Sequence, residues 1–162
     1  MVIDPGLGAH DVVTRLADEK GFTVEAVVLT HGHIDHIRDA AAFGVETFVH
    51  PADAFMLLRG DGVSEQAREL HDASGMQPVE HLHDLAGGAP LDVAGVTFDV
   101  VHAPGHSPGC VVLHVGETLL SGDTLFNGGP GATGRSHSSF ETIIESIRDR
   151  LFTLPDPTVV LT

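Results

Sequence analysis

The chain is poor in several residue types on which particular functions depend. It has no Trp and no Tyr. It contains 8 Lys and Arg residues but 23 Asp and Glu residues, which gives a formal net charge of -15. Such a surface repels phosphate backbones and offers no broad aromatic platform for stacked bases, so we expect no nucleic-acid partner. The same charge opposes binding to an anionic membrane surface.

Cysteine and long apolar runs are also scarce. Cys110 is the single cysteine, which excludes a disulfide within the chain and fits a small core residue in a reducing compartment. No apolar run approaches the about 18 residues of a membrane-spanning helix. The first residues lack the basic and apolar regions of a secretory signal. We therefore expect a cytoplasmic protein with no membrane partner.

The composition that remains is typical of one globular domain. At 162 residues and 42% apolar content, the chain is long enough to bury a substantial core. Strand and helix patterns alternate over residues 2–58, and two hairpins are predicted over 91–120. The polar, glycine-interrupted stretch 59–88 is interpreted as a surface insertion with a short helix at 64–72. This mixture predicts two sheets with helices outside.

The last helix has the clearest pattern of the predicted helices. Ser138-Ser139-Phe140-Glu141 matches a capping box, in which a hydroxyl and a carboxylate satisfy each other's free backbone donors. Apolar residues follow at the spacing of one helix face: Phe140, Ile143, Ile144, Ile147 and Leu151. We predict that this face belongs to the core.

The most informative stretch is His31-Gly32-His33-Ile34-Asp35-His36. It lies between a predicted strand over 23–30 and a predicted helix over 34–43. Imidazole and carboxylate are ligands that zinc prefers, and residues two apart on an extended chain point to the same side. Histidine is abundant here, with 12 residues, but this order of ligands at a strand exit favours metal binding over a solvated loop. One strand-to-helix corner can thus serve two adjacent metal ions.

Two later segments also place ligand-type residues just past a predicted strand. His106 stands in Pro104-Gly105-His106-Ser107-Pro108-Gly109, where proline and glycine fix the backbone on both sides. Asp123 stands in Gly122-Asp123-Thr124-Leu125-Phe126, where a carboxylate is placed to bridge two cations. Both segments therefore add candidate ligands to the same site.

In this order, the HxHxDH, PGHSPG and GDTLF segments resemble those of the metallo-β-lactamase superfamily, and within it the glyoxalase II-like hydrolases. The resemblance extends to VIDPG at residues 2–6 and FVHP at 48–51, so it covers essentially the whole chain. It implies an α/β fold, an αββα sandwich of two mixed β-sheets flanked by helices, with the metal ions at one edge between the sheets.

The resemblance also implies a ligand set and cofactors. The first ion would be held by three histidines, the second by an aspartate and a histidine, and one aspartate would bridge both: His31, His33 and His106; Asp35 and His36; Asp123. The implied cofactor is a pair of zinc ions, with iron or manganese as alternatives. Asp35 is in addition the candidate catalytic residue, which would accept a proton or orient the attacking water.

The chain departs from the family pattern at both ends. The family has one or two strands before the VIDPG segment and a Gly-His-Gly turn after the last strand, whose histidine is a further metal ligand. We expect a single domain over 1–162 that lacks both features, so that only Asp35, His36 and Asp123 would hold the second ion. An inactive metal-binding fragment is therefore one alternative.

The glycine-rich segment 127–137 follows the Asp123 motif and is the candidate substrate loop. Asn127, Arg135 and His137 are its candidate substrate-binding residues, with Arg135 meeting a carboxylate and His137 close to the metal edge. The other interpretation is a flexible connector in which Arg135 pairs with a structural acid. His81 and His83 have HxH spacing too, but we interpret them as surface residues of a polar loop.

The family resemblance implies a metal-dependent hydrolase that cleaves a thioester, an S-acyl conjugate of a small thiol, by attack of a metal-bound hydroxide. The alternative enzyme is a persulfide dioxygenase-like protein with one iron ion, held by His31, His106 and Asp123. The oligomeric state is left open by the sequence.

Overall fold

The first sheet is parallel throughout in the computed structural model, which describes residues 1–58, 60–62 and 64–162. Its four strands are hydrogen-bonded in chain order: β1 (Val2–Ile3), β2 (Ala26–Val28), β3 (Glu46–Val49) and β4 (Leu82–Asp84). Parallel neighbours need a crossover, and helix α1 (Ala9–Lys20) supplies it between β1 and β2. The carboxyl ends of these strands therefore lie at one edge of the sheet.

The second sheet is mixed and has five strands in the order β11-β8-β7-β6-β5. Antiparallel hairpins join the first four along the chain, and the last strand pairs with β8 in parallel: β5 (Pro90–Val93), β6 (Val96–His102), β7 (Val111–Val115), β8 (Thr118–Leu120) and β11 (Val159–Leu161). A separate short hairpin consists of β9 (Leu125–Phe126) and β10 (Gly129–Pro130). The predicted hairpins over 91–120 are confirmed.

Short helices complete the described part of the chain. The α-helices after α1 are α2 (Ile34–Ile37), α3 (Glu65–Leu70) and α4 (Phe140–Ser146), and a π-helical turn, Ile147–Leu151, continues the last. Three segments are 3-10 helices: Ala40–Phe43, Pro51–Leu58 and Ala73–Gly75. No helix among the described residues combines the length and apolar character that crossing a bilayer requires.

Three apolar clusters show how the layers pack. Val28 of β2 packs with Val100 and Leu113 of the second sheet, so this cluster fills the space between the sheets. Its neighbour Val27 faces the other way and packs with the helices that cover the first sheet. The third cluster joins Ile143 of the last helix to the outer face of the second sheet. The layers are therefore helix, sheet, sheet and helix, and the predicted αββα sandwich is confirmed. The second sheet is mixed as predicted, whereas the described strands of the first sheet are all parallel.

The predicted helix over 34–43 is interrupted in the middle. Helix α2 ends at Ile37, and the 3-10 helix begins only at Ala40. The break occurs because the backbone N–H of Asp39 donates to Pro5 O at 3.0 Å instead of continuing the helical ladder. The carboxylate of Asp39 also accepts a hydrogen bond from His10 N at 3.1 Å. The first loop is thereby attached to the metal-ligand segment.

The predicted surface insertion 59–88 contains a strand that sequence reasoning missed. Strand β4 lies at the edge of the first sheet, and all of its residues are exposed, so it has no apolar alternation to reveal it. The loop assignment is therefore wrong over 82–84, although His81 and His83 are exposed as predicted. The predicted helix at 64–72 appears as α3, capped by Ser64. Arg59 and Val63 lie outside the described residues.

The last helix begins one residue later than the predicted capping box requires. Ser139 is the cap, since its hydroxyl accepts from Thr142 N at 3.2 Å, whereas Ser138 exchanges hydrogen bonds with Arg135. Glu141 is then only the second helical residue and cannot close the box. The apolar face is also narrower than predicted, because Phe140 is 62% exposed and Ile144 36%. Only its remaining members, Ile143, Ile147 and Leu151, are buried.

Two adjacent isoleucines of this helix provide a test of the layer packing. Ile143 is fully buried against the second sheet, so Ile143→Ala should lower the free energy of unfolding by about 2–5 kcal/mol. Ile144→Ala makes the same chemical change at a partly exposed position and should cost about 1 kcal/mol or less. Denaturant unfolding measures both. Equal losses in the two variants would contradict the packing of this helix.

Candidate metal centre

The candidate ligands lie in loops that leave the sheets at one common edge. The segment His31–His36 follows β2, His106 follows β6, and Asp123 follows β8. Strands β1 and β2 are parallel, so the residue after β1, Asp4, reaches the same edge. Its carboxylate accepts from Thr30 N at 2.7 Å, which joins the two strand ends directly. Residues that are far apart in sequence therefore meet around one point.

Three histidines form the buried half of the site. The exposed fractions of His31, His33 and His106 are 0%, 1% and 1%, and one ring nitrogen from each lies within 4.8 Å of the other two. His33 Nδ1 is 2.8 Å from His106 Nε2, and His31 Nε2 has no hydrogen-bond partner. A buried polar atom without a partner is costly, and a bound cation would satisfy these nitrogens. The donor set fits zinc.

Hydrogen bonds determine which ring nitrogen of His106 and of His31 is available to bind a metal ion. His106 Nδ1 donates to Ala132 O at 2.7 Å, which leaves its Nε2 as the acceptor atom. Thr30 Oγ1 gives its proton to Asp4 Oδ2 at 2.6 Å, so it accepts from His31 Nδ1 at 3.2 Å. Both rings thus offer the Nε2 lone pair, and such outer partners orient metal-binding histidines.

The more exposed half of the site contains the other three candidate ligands. His36 Nε2 lies 3.3 Å from Asp123 Oδ1 and 3.9 Å from Asp35 Oδ2. The second oxygen of Asp123 is 3.3 Å from His106 Nε2. One carboxylate therefore contacts both halves of the site, as a bridging ligand would. The structure brings all six candidate metal ligands together, with Asp35 the most loosely placed.

Burial and neighbouring charges shift the pKa values of the histidines in opposite directions. Burial and then the neighbouring histidines lower the pKa of His31 well below 6.5, and burial followed by His106 lowers that of His33 to about 4. Burial also opposes the charge on His36, but hydrogen bonds to Asp123 and Asp4 outweigh it and raise its pKa to about 10. In the buried half, His31 and His33 are therefore neutral, ligand-competent imidazoles.

Sequence reasoning missed Asp4. Its Oδ2 lies 3.0 Å from His36 Nδ1 and also receives the Thr30 hydroxyl, so one carboxylate supports a histidine in each half of the site. The residue adopts a left-handed backbone conformation, with φ of 50°, at the turn before Pro5. The signal was present in the sequence, because a carboxylate directly after a strand joins the same edge as the HxHxDH segment.

The candidate substrate residues are exposed on the loop beside the site. Arg135 lies close enough for its charge to lower the pKa of His31 and His33. The arginine–carboxylate ion pairs among the described residues involve Arg38, Arg68 and Arg148, so the structural pairing considered for Arg135 is not seen there. The ring of His137 contacts Phe55 edge-on, with centroids 5.3 Å apart. Asn127 is exposed at the start of the loop.

The model of one protein family, the metallo-beta-lactamase superfamily, matches residues 1–162. The chain belongs to this superfamily. Among curated relatives, the hydroxyacylglutathione hydrolase GloC of Haemophilus influenzae is 32% identical, with 99% of this chain and 77% of that protein covered. The family assignment made from the HxHxDH, PGHSPG and GDTLF segments is therefore confirmed.

Two solved structures share the fold at 30% identity. TTHA1623 in a di-iron-bound form superimposes with a TM-score of 0.78 over 98% of this chain and 78% of that one. BLEG-1, a B3 metallo-beta-lactamase, also gives a TM-score of 0.78, with coverages of 98% and 77%. These two structures resemble the chain equally well, and only one of them is named a beta-lactamase, so the fold does not identify the substrate.

The titration of the site predicts how the metal-free chain responds to pH. Between about pH 4 and 6.5 the unfolded state binds more protons at His33, so stability should rise with pH. Between 6.5 and about 10 the folded state holds the extra proton on His36, so stability should fall as pH rises. Denaturant midpoints measured in excess chelator should be highest near pH 6.5.

The variant His36→Gln removes only the second of these effects. It should flatten the alkaline limb of the profile while keeping the acid limb. An alkaline limb of unchanged slope in this variant would contradict the assignment of the retained proton to His36.

Proposed function

We propose that this chain is a metal-dependent thioesterase of the glyoxalase II-like kind, which hydrolyses an S-acyl conjugate of a small thiol. The observation that carries the proposal is a cluster of three buried histidines at one sheet edge, with His36, Asp123 and Asp35 in contact beside it. The 32% identity to GloC supports the thioester as substrate, because that relative is named a hydroxyacylglutathione hydrolase.

Each proposed ligand has a place in this site. His31, His33 and His106 would hold the first ion, and Asp35 and His36 the second, with Asp123 between them. When bound, two adjacent ions supply an activated water and polarise the thioester carbonyl. The side chain of Asp35 is 44% exposed, and its Oδ2 lies 3.9 Å from His36 Nε2. It is therefore the carboxylate with most freedom to orient that water or take its proton.

The native metal is proposed to be zinc on the basis of the donor set. Imidazole and carboxylate also suit iron and manganese, and the di-iron-bound form of TTHA1623 supports iron as an alternative for this fold. A reducing cytoplasm is the proposed compartment, in keeping with the single buried thiol of Cys110.

The charge on the substrate loop supports a substrate whose thiol or acyl part carries a carboxylate. In a chain of net charge -15, Arg135 is a cation beside the metal site and is exposed. A cavity of about 370 Å³ lies next to it, lined by Ser64, Ala67 and the segment 134–136 together with Gly62. A carboxylate of the substrate would be held there by the planar, bidentate donors of a guanidinium.

The mononuclear iron enzyme is the second candidate, and one contact favours it. Two of its three predicted ligands, His106 and Asp123, are already 3.3 Å apart. It gives no role to His36, which is held against Asp123 and Asp4. For this reason we place the binuclear hydrolase first. Oxygen uptake with a persulfide substrate, without thioester cleavage, would reverse the order.

A comparison of a thioester with a chromogenic cephalosporin and a persulfide tests the proposed reaction. The zinc-loaded chain should release free thiol from S-lactoylglutathione and should turn over a chromogenic cephalosporin far more slowly. His106→Ala should lower the thioesterase rate by more than the about 10- to 100-fold that loss of an outer partner costs, because it removes a ligand. His81→Ala changes an exposed histidine and should leave the rate unchanged.

Three results would contradict the proposal. They are preferential cephalosporin cleavage, oxygen consumption with a persulfide, and a metal-loaded chain without any of these activities. The last result would favour the inactive metal-binding fragment.

The role of Arg135 is tested by a split of the kinetic constants. Arg135→Ala should raise KM for a thioester that carries a carboxylate by about tenfold or more, because the charge-assisted contact to the guanidinium is lost, and should change kcat little. The matched control is Arg15→Ala, which removes an exposed cation from α1. An equal rise of KM in the control, or an unchanged KM in Arg135→Ala, would show that Arg135 does not contact the substrate.

A further inference from the structure

A carboxylate outside the candidate ligand set lies directly beneath the metal site. Asp53 is the third residue of the 3-10 helix Pro51–Leu58, and its exposed fraction is 0%. Buried carboxylates are rare and persist where hydrogen bonds replace the lost water. Neither the ligand set nor the substrate loop accounts for this residue.

The hydrogen bonds of the Asp53 carboxylate all come from the two segments that carry the histidines. Its Oδ2 accepts from Gly32 N at 2.9 Å and from the Ser107 hydroxyl at 2.5 Å, and its Oδ1 accepts from Gly109 N at 2.7 Å. Gly32 separates His31 from His33, and Ser107 directly follows His106. One side chain therefore joins loops that are more than seventy residues apart in sequence.

Two glycines make this close approach possible. A Cβ on Gly109 would lie 2.5 Å from Asp53 Cγ, and a Cβ on Gly32 would lie 2.9 Å from Asp53 O and 3.0 Å from Asp53 Cβ. Any side chain at either position would push the carboxylate away from the amides. The position of Asp53 thus explains the glycines Gly32 and Gly109.

The thiol of Cys110 completes this arrangement from the opposite side. Ser107 N donates to Cys110 Sγ at 3.3 Å, and the two side chains lie 3.1 Å apart. Because the Ser107 hydroxyl gives its proton to Asp53, the contact between the side chains is made by the S–H of Cys110. Burial raises the pKa of this thiol to about 12, so it stays protonated. Cys110 therefore acts as a structural donor in the core.

We propose that Asp53 is a positioning residue that holds the His31–His33 segment and the His106 loop at the spacing at which three imidazoles share one ion. The inference rests on the metal site of the proposed function, but it concerns the arrangement of the chain and not the substrate. Removing the carboxylate should loosen both segments at once, because no other described side chain donates to or accepts from all three groups.

Two variants of graded severity test the proposal. Asp53→Asn replaces one carboxylate oxygen by an amide N–H, which faces groups that are themselves donors. Ser107→Ala removes one hydrogen bond and keeps the carboxylate with its two backbone partners. In the metal-free chain, hydrogen exchange at the Gly32 and Gly109 amides should accelerate by about tenfold in Asp53→Asn. In the loaded chain, zinc affinity measured by competition with a chromogenic chelator should fall by about 10- to 100-fold. Ser107→Ala should give a smaller loss of affinity.

A spectroscopic readout separates positioning from general stability. Cobalt(II) in place of zinc reports ligand geometry through its visible absorption bands, which should shift in both variants. The control is Leu113→Ala, a cavity in the core between the sheets. It should lower the denaturation midpoint without moving the cobalt bands. The same band shift in this control, or wild-type spectra, affinity and amide exchange in both variants, would overturn the role of Asp53.

These measurements do not depend on catalysis. If the wild-type chain binds zinc but cleaves no thioester, the proposed function fails while the variants still decide the role of Asp53. If Asp53→Asn does not fold, Ser107→Ala alone decides it, since its remaining bonds preserve the buried carboxylate. If the wild-type chain binds no metal ion, the histidines share no ion whose binding Asp53 could support, and the proposal fails together with the metal site.

Discussion

The structure depends on a cluster of three imidazoles buried where the edges of two sheets meet. Three rings lie within contact distance of each other, with ring centroids 4.6 to 5.0 Å apart, and His31 presents a nitrogen that no group of the described chain satisfies. Such an arrangement is unfavourable for the chain alone, because a buried nitrogen without a hydrogen-bond partner has lost its water. Its persistence requires that the surrounding fold fixes the rings, as it does for functional sites that store strain.

Two carboxylates outside the predicted ligand set supply that support from different elements. Asp4 acts from the first sheet and orients His31 through Thr30 and His36 directly. Asp53 acts from the 3-10 helix and holds the backbone of both histidine segments. The two carboxylates have different roles. Asp4 fixes the orientation and tautomer of the rings, and Asp53 fixes the separation of the loops. Metal sites are sensitive to both.

Much of this site was predictable, because its ligands obey local rules. The HxHxDH segment follows a buried strand, and residues at a strand exit must lie at the sheet edge, so His31 and His33 could be proposed as ligands from their spacing. The full ligand set, Asp35 included, followed from the family resemblance. Asp53 could not be assigned in this way. An acid in the first turn of a helix normally lies in solvent, and nothing local shows that Gly32 and Gly109 will approach it.

The same reasoning explains the errors in the fold. Strand β4 has only exposed residues, so its pairing with β3 is a tertiary effect without an apolar pattern. The split of the helix after Ile37 arises from a hydrogen bond between Asp39 and Pro5, which are distant in sequence. Periodicity describes which face of an element is buried, but it contains no information about backbone groups that bond across the fold.

The central claim is that these side chains hold two adjacent metal ions, and metal content tests it most directly. Elemental mass spectrometry of the 162-residue chain, purified without added metal, should give about two ions per chain, the stoichiometry of a shared site with a bridging carboxylate. The same preparation of His36→Gln should keep the ion of the buried histidines and lose the other. Well under one ion per chain in the unsubstituted protein, or one ion that His36→Gln does not affect, would contradict the binuclear site.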